Sequence, residues 1–216
     1  LGLVGQLFES DVSKRFPGQA AIGHTRYSTS GEKHTDTARA LANTHPFLKR
    51  FKYRDGRNCD FAVAHNGNIT NADTLRDKLC IEGRLFESYD SDTEVFLHLI
   101  GKAQGDLFID RLKHALEIIE GAYSFLILTE KKLIAVRDPF GTRPLVMGKL
   151  NGAYVFASET CGLNIIRAEY VRDVQPGEIV IIENGGEPES IRFAKATPRP
   201  CLFEVIYTMR PDSILA

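Results

Sequence analysis

Tryptophan is absent from this 216-residue chain, methionine occurs twice and cysteine four times. The cysteines, Cys59, Cys80, Cys161 and Cys201, lie far apart and form no C-x-x-C pair, which argues against a local zinc site. A disulfide framework is not expected in a chain of this length either, so buried inert thiols in a reducing cytoplasm are the default. No apolar run approaches the ~20 residues that span a bilayer. Leu1 to Phe8 is apolar but short, with no basic residue before it, and does not read as a signal peptide. Neither sign of charge dominates: the formal net charge of -1 gives no footprint for a nucleic-acid or acidic-membrane partner. Methionine is missing from position 1 as well. Leu1 stands inside a strand-like run, so a fragment or processed product is expected. What is present is ordinary for a soluble globular protein, 43% hydrophobic and 25% charged residues, enough for one large domain or a domain and a fragment.

Along the chain, Leu1 to Phe8 and Ala20 to Tyr27 read as strands, and residues 30–57 as mostly loop. Asn71 or Thr70 could cap a short helix with Leu75 and Leu79 on one face. A second helix, Asp92 to about Lys102, carries a core-facing stripe of Val95, Phe96, Leu99 and Ile100. A third, about Phe108 to Ile119, repeats that pattern until Gly121 stops it. The period then changes. Tyr123 to Thr129, Leu133 to Arg137, Pro144 to Gly148, Tyr154 to Ala157, Glu178 to Ile182 and Ser190 to Ala194 are short and β-prone, with turn signals between them. Strands, a block of helices and strands again predict an α+β fold with helices packed against sheets.

The segment richest in chemistry is Ala62-Val63-Ala64-His65-Asn66-Gly67-Asn68. A strand over Phe61 to His65 would stop at the polar Asn-Gly pair, in a turn rich in hydrogen-bond donors. A side-chain amide beside a glycine N–H is one way to build an oxyanion hole, although most Asn-Gly pairs only turn the chain. Around it stand Gly23-His24-Thr25-Arg26-Tyr27-Ser28-Thr29 and Ser91-Asp92-Thr93-Glu94. Further on come Arg137-Asp138-Pro139-Phe140-Gly141-Thr142-Arg143-Pro144-Leu145, Ala157-Ser158-Glu159-Thr160-Cys161, Gln175-Pro176-Gly177-Glu178, and Cys201 followed by Tyr207 and Arg210-Pro211-Asp212-Ser213. In this order the motifs resemble the glutaminase half of the glutamine phosphoribosylpyrophosphate amidotransferases, from about Gly2 to about Ser213.

The resemblance implies the N-terminal-nucleophile hydrolase fold, a four-layer αββα sandwich, incomplete at its N-terminus. It implies a type 2 glutamine amidotransferase domain over residues 1–199, lacking its first strand, with residues 200–216 opening a phosphoribosyltransferase domain. The arginine matching Arg26 binds the glutamine α-carboxylate in that family, and the threonine matching Thr29 assists. A guanidinium suits that task, since its planar fork meets a carboxylate with two parallel hydrogen bonds; without the family it would read as a surface arginine at a strand end. Asp92 matches the aspartate that takes the α-ammonium group. It also has a purely local explanation: Ser91 and Glu94 form a capping-box pattern, and an acid in the first turn is favoured by the helix dipole by ~0.3–1 kcal/mol. Asn66 and Gly67 match the oxyanion hole.

The family's nucleophile, an N-terminal cysteine whose own amino group is the base, has no counterpart at Leu1. The 216-residue chain is therefore expected not to hydrolyse glutamine. No cofactor is expected within the chain. In a full-length parent, Cys201 would supply one ligand of a 4Fe-4S cluster and magnesium would serve the pyrophosphate of phosphoribosyl pyrophosphate. Glutamine is the expected partner of this domain, and a homo-oligomer is expected. His24 and His65 read as strand-end histidines, and Asp138 and Arg143 as free to pair across a turn. Two alternatives stand beside this reading: the glutaminase of a hexosamine-forming amidotransferase, towards which Asn43-Thr44-His45-Pro46-Phe47 leans, and a glutamine-binding domain without turnover.

Overall fold

The computed structural model describes residues 12–25, 41–88 and 90–214. Within them a short helix, α1 (Val12–Arg15), precedes β1 (Phe47–Lys52) and the long strand β2 (Asn58–Ile69). Three helices follow, α2 (Ala72–Ile81), α3 (Asp92–Lys102) and α4 (Phe108–Ile118). The remainder is β3 (Gly121–Thr129), β4 (Lys132–Arg137), β5 (Val146–Leu150), β6 (Ala153–Ala157), α5 (Thr160–Ile165), β7 (Glu169–Asp173), β8 (Glu178–Glu183) and β9 (Glu189–Arg192), closed by a π-helical turn at Glu204–Thr208.

The described strands form an antiparallel six-stranded sheet in the order β1-β2-β3-β4-β8-β9 and a three-stranded sheet β6-β5-β7. The side-chain period of two divides the work of each strand. On β2, Phe61 and Val63 turn towards α2, α3 and α4 and join Phe96, Leu112, Phe125 and Ile134 in the larger core. The other face of the large sheet, with Leu126, Ala135 and Val180, packs on Met147 and Phe156 of the small sheet. Behind the small sheet, Val146 and Val155 meet Leu163 of α5. Helices, sheet, sheet and helix therefore stack as the αββα sandwich. Each fully buried Phe, Ile or Leu in these layers contributes about 1.5–3 kcal/mol by leaving water.

The strands read between Tyr123 and Ala194, and the helices of the middle, fall within a residue or two of their observed bounds, whereas α5 and β7 are not among the elements read. Elsewhere the structure differs. The segment Ala20 to Thr25, read as part of a strand, has no regular structure in its described residues. Leu1 to Phe8 lies outside the described residues. The stretch read as loop contains β1, whose buried or half-buried Phe47, Lys49 and Phe51 alternate with exposed Leu48, Arg50 and Lys52. Asn71 stands at the N-cap of α2, but its side chain does not cap it. Its amide bonds instead to Ile118 O at 3.0 Å and takes Glu120 N–H at 3.0 Å, tying α2 to the end of α4.

Candidate active site

Asn66 and Gly67 do not form a turn. β2 runs straight through them to Ile69, in register with β3: Asn66 opposite Ser124, Gly67 opposite Tyr123 and Ile69 opposite Gly121. Pairing with a long, buried partner strand overrides the local turn preference. Glycine is nevertheless required there. Gly67 has φ +143°, and a Cβ on it would lie 2.1 Å from Ala122 O. Gly121 mirrors it across the pair, with φ +138° and a Cβ position 2.2 Å from Asn68 O. Two glycines thus let the backbones of β2 and β3 approach more closely than any side chain permits. The Asn66 amide, half-buried, makes no hydrogen bond to the described residues.

Asp92 is the first residue of α3, and the structure brings it to this strand end. Its Oδ2 accepts the Ile69 N–H at 2.8 Å, and its Oδ1 lies 3.2 Å from Thr93 Oγ1 and 3.5 Å from His65 Nδ1. Burial by itself would raise the Asp92 carboxyl; His65, the Ile69 N–H and the Thr93 hydroxyl outweigh it and hold the group below the usual carboxylate range. The Asp92 side chain keeps 22% of its exposure, so the carboxylate is anchored from behind and open in front.

The capping box is not formed. Ser91 has N-cap backbone angles but makes no side-chain cap bond. Glu94 turns away from it, into the loop before the helix, where it accepts Glu87 N–H at 2.9 Å, Ser88 N–H at 2.7 Å and the Ser88 hydroxyl at 2.5 Å. Burial opposes its charge, but His98, Ser88 and these amides pull the Glu94 carboxyl down to about 2. Arg76 braces the same loop, donating to Ser88 O at 3.2 Å and Ser91 O at 2.7 Å while stacking over Phe86.

Three histidines converge on β2. The His65 ring packs on Phe125 at 4.6 Å between centroids and is stacked 6.5 Å from His45, which in turn lies 4.6 Å from His24. β1 ends its pairing at Phe47 opposite Val63, so the His65 N–H lies beyond it and donates to His45 Nδ1 at 3.3 Å. The roles of His45 and Thr93 are not evident in the sequence. The alternation that buries Phe61 and Val63 does place His65 on the same helix-facing side, where a polar ring needs a partner.

Arg26 and Thr29 lie outside the described residues. Asp138 and Arg143 do not pair. Asp138 is buried and accepts Phe140 N–H at 2.8 Å and Tyr123 N–H at 3.3 Å, steadying the residue that faces Gly67. Arg143 instead makes an ion pair with Glu204 of the π-helical turn. Glu159 receives Arg210 N–H at 2.9 Å and the Ser213 hydroxyl at 2.6 Å, so two motifs remote in sequence form one seam. A cavity of about 510 Å³ beside that seam is lined by Arg137, Phe140, Tyr170, Pro198, Cys201 and Met209. Among the described residues no group of three or more His, Cys, Asp or Glu side chains is placed to hold a metal ion, and no helix is long and apolar enough to cross a membrane.

Residues 53–164 match the family described as "Glutamine amidotransferase domain". The whole chain is 44% identical to Amidophosphoribosyltransferase 1, chloroplastic, of Arabidopsis thaliana, of which it covers 36%. It is 40% identical to the amidophosphoribosyltransferase of Bacillus subtilis (strain 168), over 98% of this chain and 42% of that protein. Its fold is similar to the solved structure of glutamine phosphoribosylpyrophosphate (PRPP) amidotransferase from B. subtilis complexed with ADP and GMP. That likeness has a TM-score of 0.77 and 40% identity, covering 88% of this chain and 39% of the other. The chain thus spans about two fifths of the length of these relatives.

Proposed function

The chain belongs to the glutamine amidotransferase domain family, and from that premise we propose that it is the glutamine-binding part of an amidophosphoribosyltransferase. In this reading Asp92 takes the α-ammonium group of glutamine, with Arg26 and Thr29 on its α-carboxylate. The Asn66 amide and the Gly67 N–H stabilise the oxyanion that forms when the side-chain amide is attacked. The carrying observation is the Asp92 carboxylate, bonded to Ile69 N–H at 2.8 Å on the strand that bears Asn66 and Gly67, yet still open on one side. A buried acid held by a backbone amide is an ionised, oriented acceptor for a cation. In the longer protein the released ammonia would displace pyrophosphate from phosphoribosyl pyrophosphate, opening purine synthesis, with residues 200–216 as the start of the second domain. Exposed Leu202, Phe203, Ile206 and Tyr207 favour further packing there. No observation above favours the hexosamine alternative, and His45, which leaned towards it, serves the local backbone.

We further propose that the 216-residue chain binds glutamine without hydrolysing it, because none of its thiols stands at the site. Cys59 lies on β2 itself, but at ~3.3 Å per residue it is roughly 23 Å along the strand from Asn66. Burial, the largest cause, pushes its thiol up and away from the reactive thiolate. Cys80 is exposed on α2, Cys161 is buried on α5, and Cys201 lines the cavity at the seam. Cys201 is proposed as a single ligand of a 4Fe-4S cluster in the longer protein. The described residues do not fit such a group by themselves, since four ligands are needed and no such cluster of side chains is present among them.

Calorimetry with glutamine tests the reading. Binding to the chain should disappear in Asp92→Asn and in Arg26→Ala, and no glutamate should accumulate. In the full-length gene product, Asn66→Ala should lower the glutaminase kcat by ~10²–10³ with little change in KM. Undiminished affinity in Asp92→Asn, or steady glutamate release by the 216-residue chain, would overturn it.

A further inference from the structure

Behind the Asp92 carboxylate stands a short relay of hydrogen bonds, and we propose that His65 and Thr93 are positioning residues that fix this carboxylate for the α-ammonium group of glutamine. The proposal rests on the reading of the site given above. Its geometry is a chain of three side chains. His65 Nδ1 lies 2.8 Å from Thr93 Oγ1, and Thr93 Oγ1 lies 3.2 Å from Asp92 Oδ1.

Proton counting orients the chain. An ionised carboxylate only accepts, and a threonine hydroxyl has one proton to give. The Thr93 hydroxyl therefore donates to Asp92 Oδ1, and its oxygen must accept from an Nδ1–H on His65. In the neutral ring that leaves Nε2 as a bare lone pair. Nε2 is buried and has no hydrogen-bond partner. A bare acceptor there is tolerable, whereas an Nε2–H would be a buried donor with nothing to receive it. The Nδ1–H tautomer is thus selected by its surroundings, and His65 acts as a donor of fixed direction.

The ring itself cannot swing. It is 5% exposed and packs on Phe125, which stacks on Phe96 with centroids 4.4 Å apart. Thr93 is fully buried in the first turn of α3. The consequence falls on Asp92, because an aspartate χ2 is otherwise broad and costs entropy to fix. Here Oδ1 is held by Thr93 and Oδ2 by Ile69 N–H, so the plane of the carboxylate is set before any ligand arrives. Of the nearby charged groups, Glu94 turns into His98 and Lys49, and Asp90 accepts from Asn43 at 2.7 Å. Among the described residues that leaves His65 as the titratable partner of Asp92, at 3.5 Å.

Thr93→Val removes the hydroxyl at nearly constant shape, and Thr93→Ser restores it. Two quantities are read on the full chain: the Asp92 carboxyl titration by carbon-13 NMR, and glutamine affinity by calorimetry across pH. Thr93→Val should raise the Asp92 pKa, weaken glutamine binding roughly 10-fold, and move the acid limb of binding to higher pH, because the carboxylate protonates earlier. Thr93→Ser should return both towards the parent. His65→Asn keeps a donor near the Nδ1 position and should fall between His65→Leu and the parent, which guards against misfolding of any one variant. An unchanged Asp92 titration in folded Thr93→Val and His65→Leu would overturn the relay. A shifted titration with unchanged glutamine affinity would keep the relay and overturn the assignment of Asp92 to glutamine.

Discussion

Asp92 and Glu94 stand two residues apart at the head of α3, and they divide that helix start into two regions. On one side Asp92 is anchored through Ile69, Thr93 and His65 and keeps an open edge. On the other, Glu94 spends both oxygens on Glu87 and Ser88 and retains 3% of its side-chain exposure. Both carboxyls are held below their ordinary values. What separates them is spare bonding capacity. A buried carboxylate whose lone pairs are all used braces a loop; one with lone pairs left towards solvent can receive a ligand. Glu178 belongs with Glu94: it receives Arg172 twice at 2.9 Å and Gln175 N–H at 2.6 Å, and locks β7 to β8.

The largest effect should come from a change that damages the open side and the fold together. Gly67→Ala forces a side chain to within 2.1 Å of Ala122 O in a backbone of φ +143°. Strain and steric displacement of β3 should cost about 2–4 kcal/mol, and in the full-length gene product the shifted Asn66 and Gly67 donors should lower glutaminase kcat at least as much as Asn66→Ala does. Gly152→Ala is the control: its φ is +87° but nothing lies within 4 Å of the added carbon, so about 1 kcal/mol is expected. Urea midpoints for the two variants give the comparison. Equal losses would mean that the close approach of β2 and β3 is not what requires glycine.

Glu94→Gln should come next and should act on stability alone. It leaves a neutral amide against two backbone N–H groups, at a cost on the order of 2–3 kcal/mol. Its pH signature is specific. The folded-state carboxyl sits at about 2 against 4.5 for an ordinary glutamate. The depressed group therefore stabilises fully above about pH 4.5 and loses that contribution as the pH falls towards 2. The parent's urea midpoint should decline over that window and Glu94→Gln should decline less. Asp92→Asn should show the converse emphasis, losing glutamine while its midpoint at neutral pH falls less than that of Glu94→Gln, because the Asp92 carboxyl is also held low but keeps an edge in water. If both variants lose binding and stability alike, the division between the two sides of α3 does not hold.

The sequence reveals the core of this arrangement better than its edges. Val95, Phe96, Leu99 and Ile100 recur at helical spacing, so α3 and its first residue are readable, and with them the position of Asp92. β1 is hidden because charged residues alternate through Phe-Leu-Lys-Arg-Phe-Lys, a pattern suited to an edge strand and easily mistaken for loop. The course of β2 through Asn66 and Gly67 is hidden for another reason: turn chemistry is local, whereas the glycine that answers Gly67 is Gly121, far away in sequence. The relay shares that obstacle. His65 and Thr93 are 28 positions apart, and only packing of β2 against α3 makes them neighbours. The seam is similar, since Glu159 with Arg210 and Ser213 reads as separate motifs until the chain returns on itself.

The smallest expected effect lies at the exposed extreme, on the outer face of β1. Arg50 and Asp60 are directly opposite in the β1–β2 register and form a two-point ion pair, at 2.5 and 2.6 Å. By distance alone this is a better pair than the 3.9 Å contact between Lys49 and Glu94. Yet the Arg50 and Asp60 side chains keep 66% and 50% of their exposure, so water and salt already serve both charges well. The hydrogen bond to Asp60, the largest cause, raises the Arg50 guanidinium, and the same bond lowers the Asp60 carboxyl, while both groups stay largely in water. Arg50→Ala should therefore leave the urea midpoint unchanged within error, at low and at high salt. A shift as large as that of Glu94→Gln would show that contact distance, rather than burial and spare bonding capacity, ranks the carboxylates of this domain.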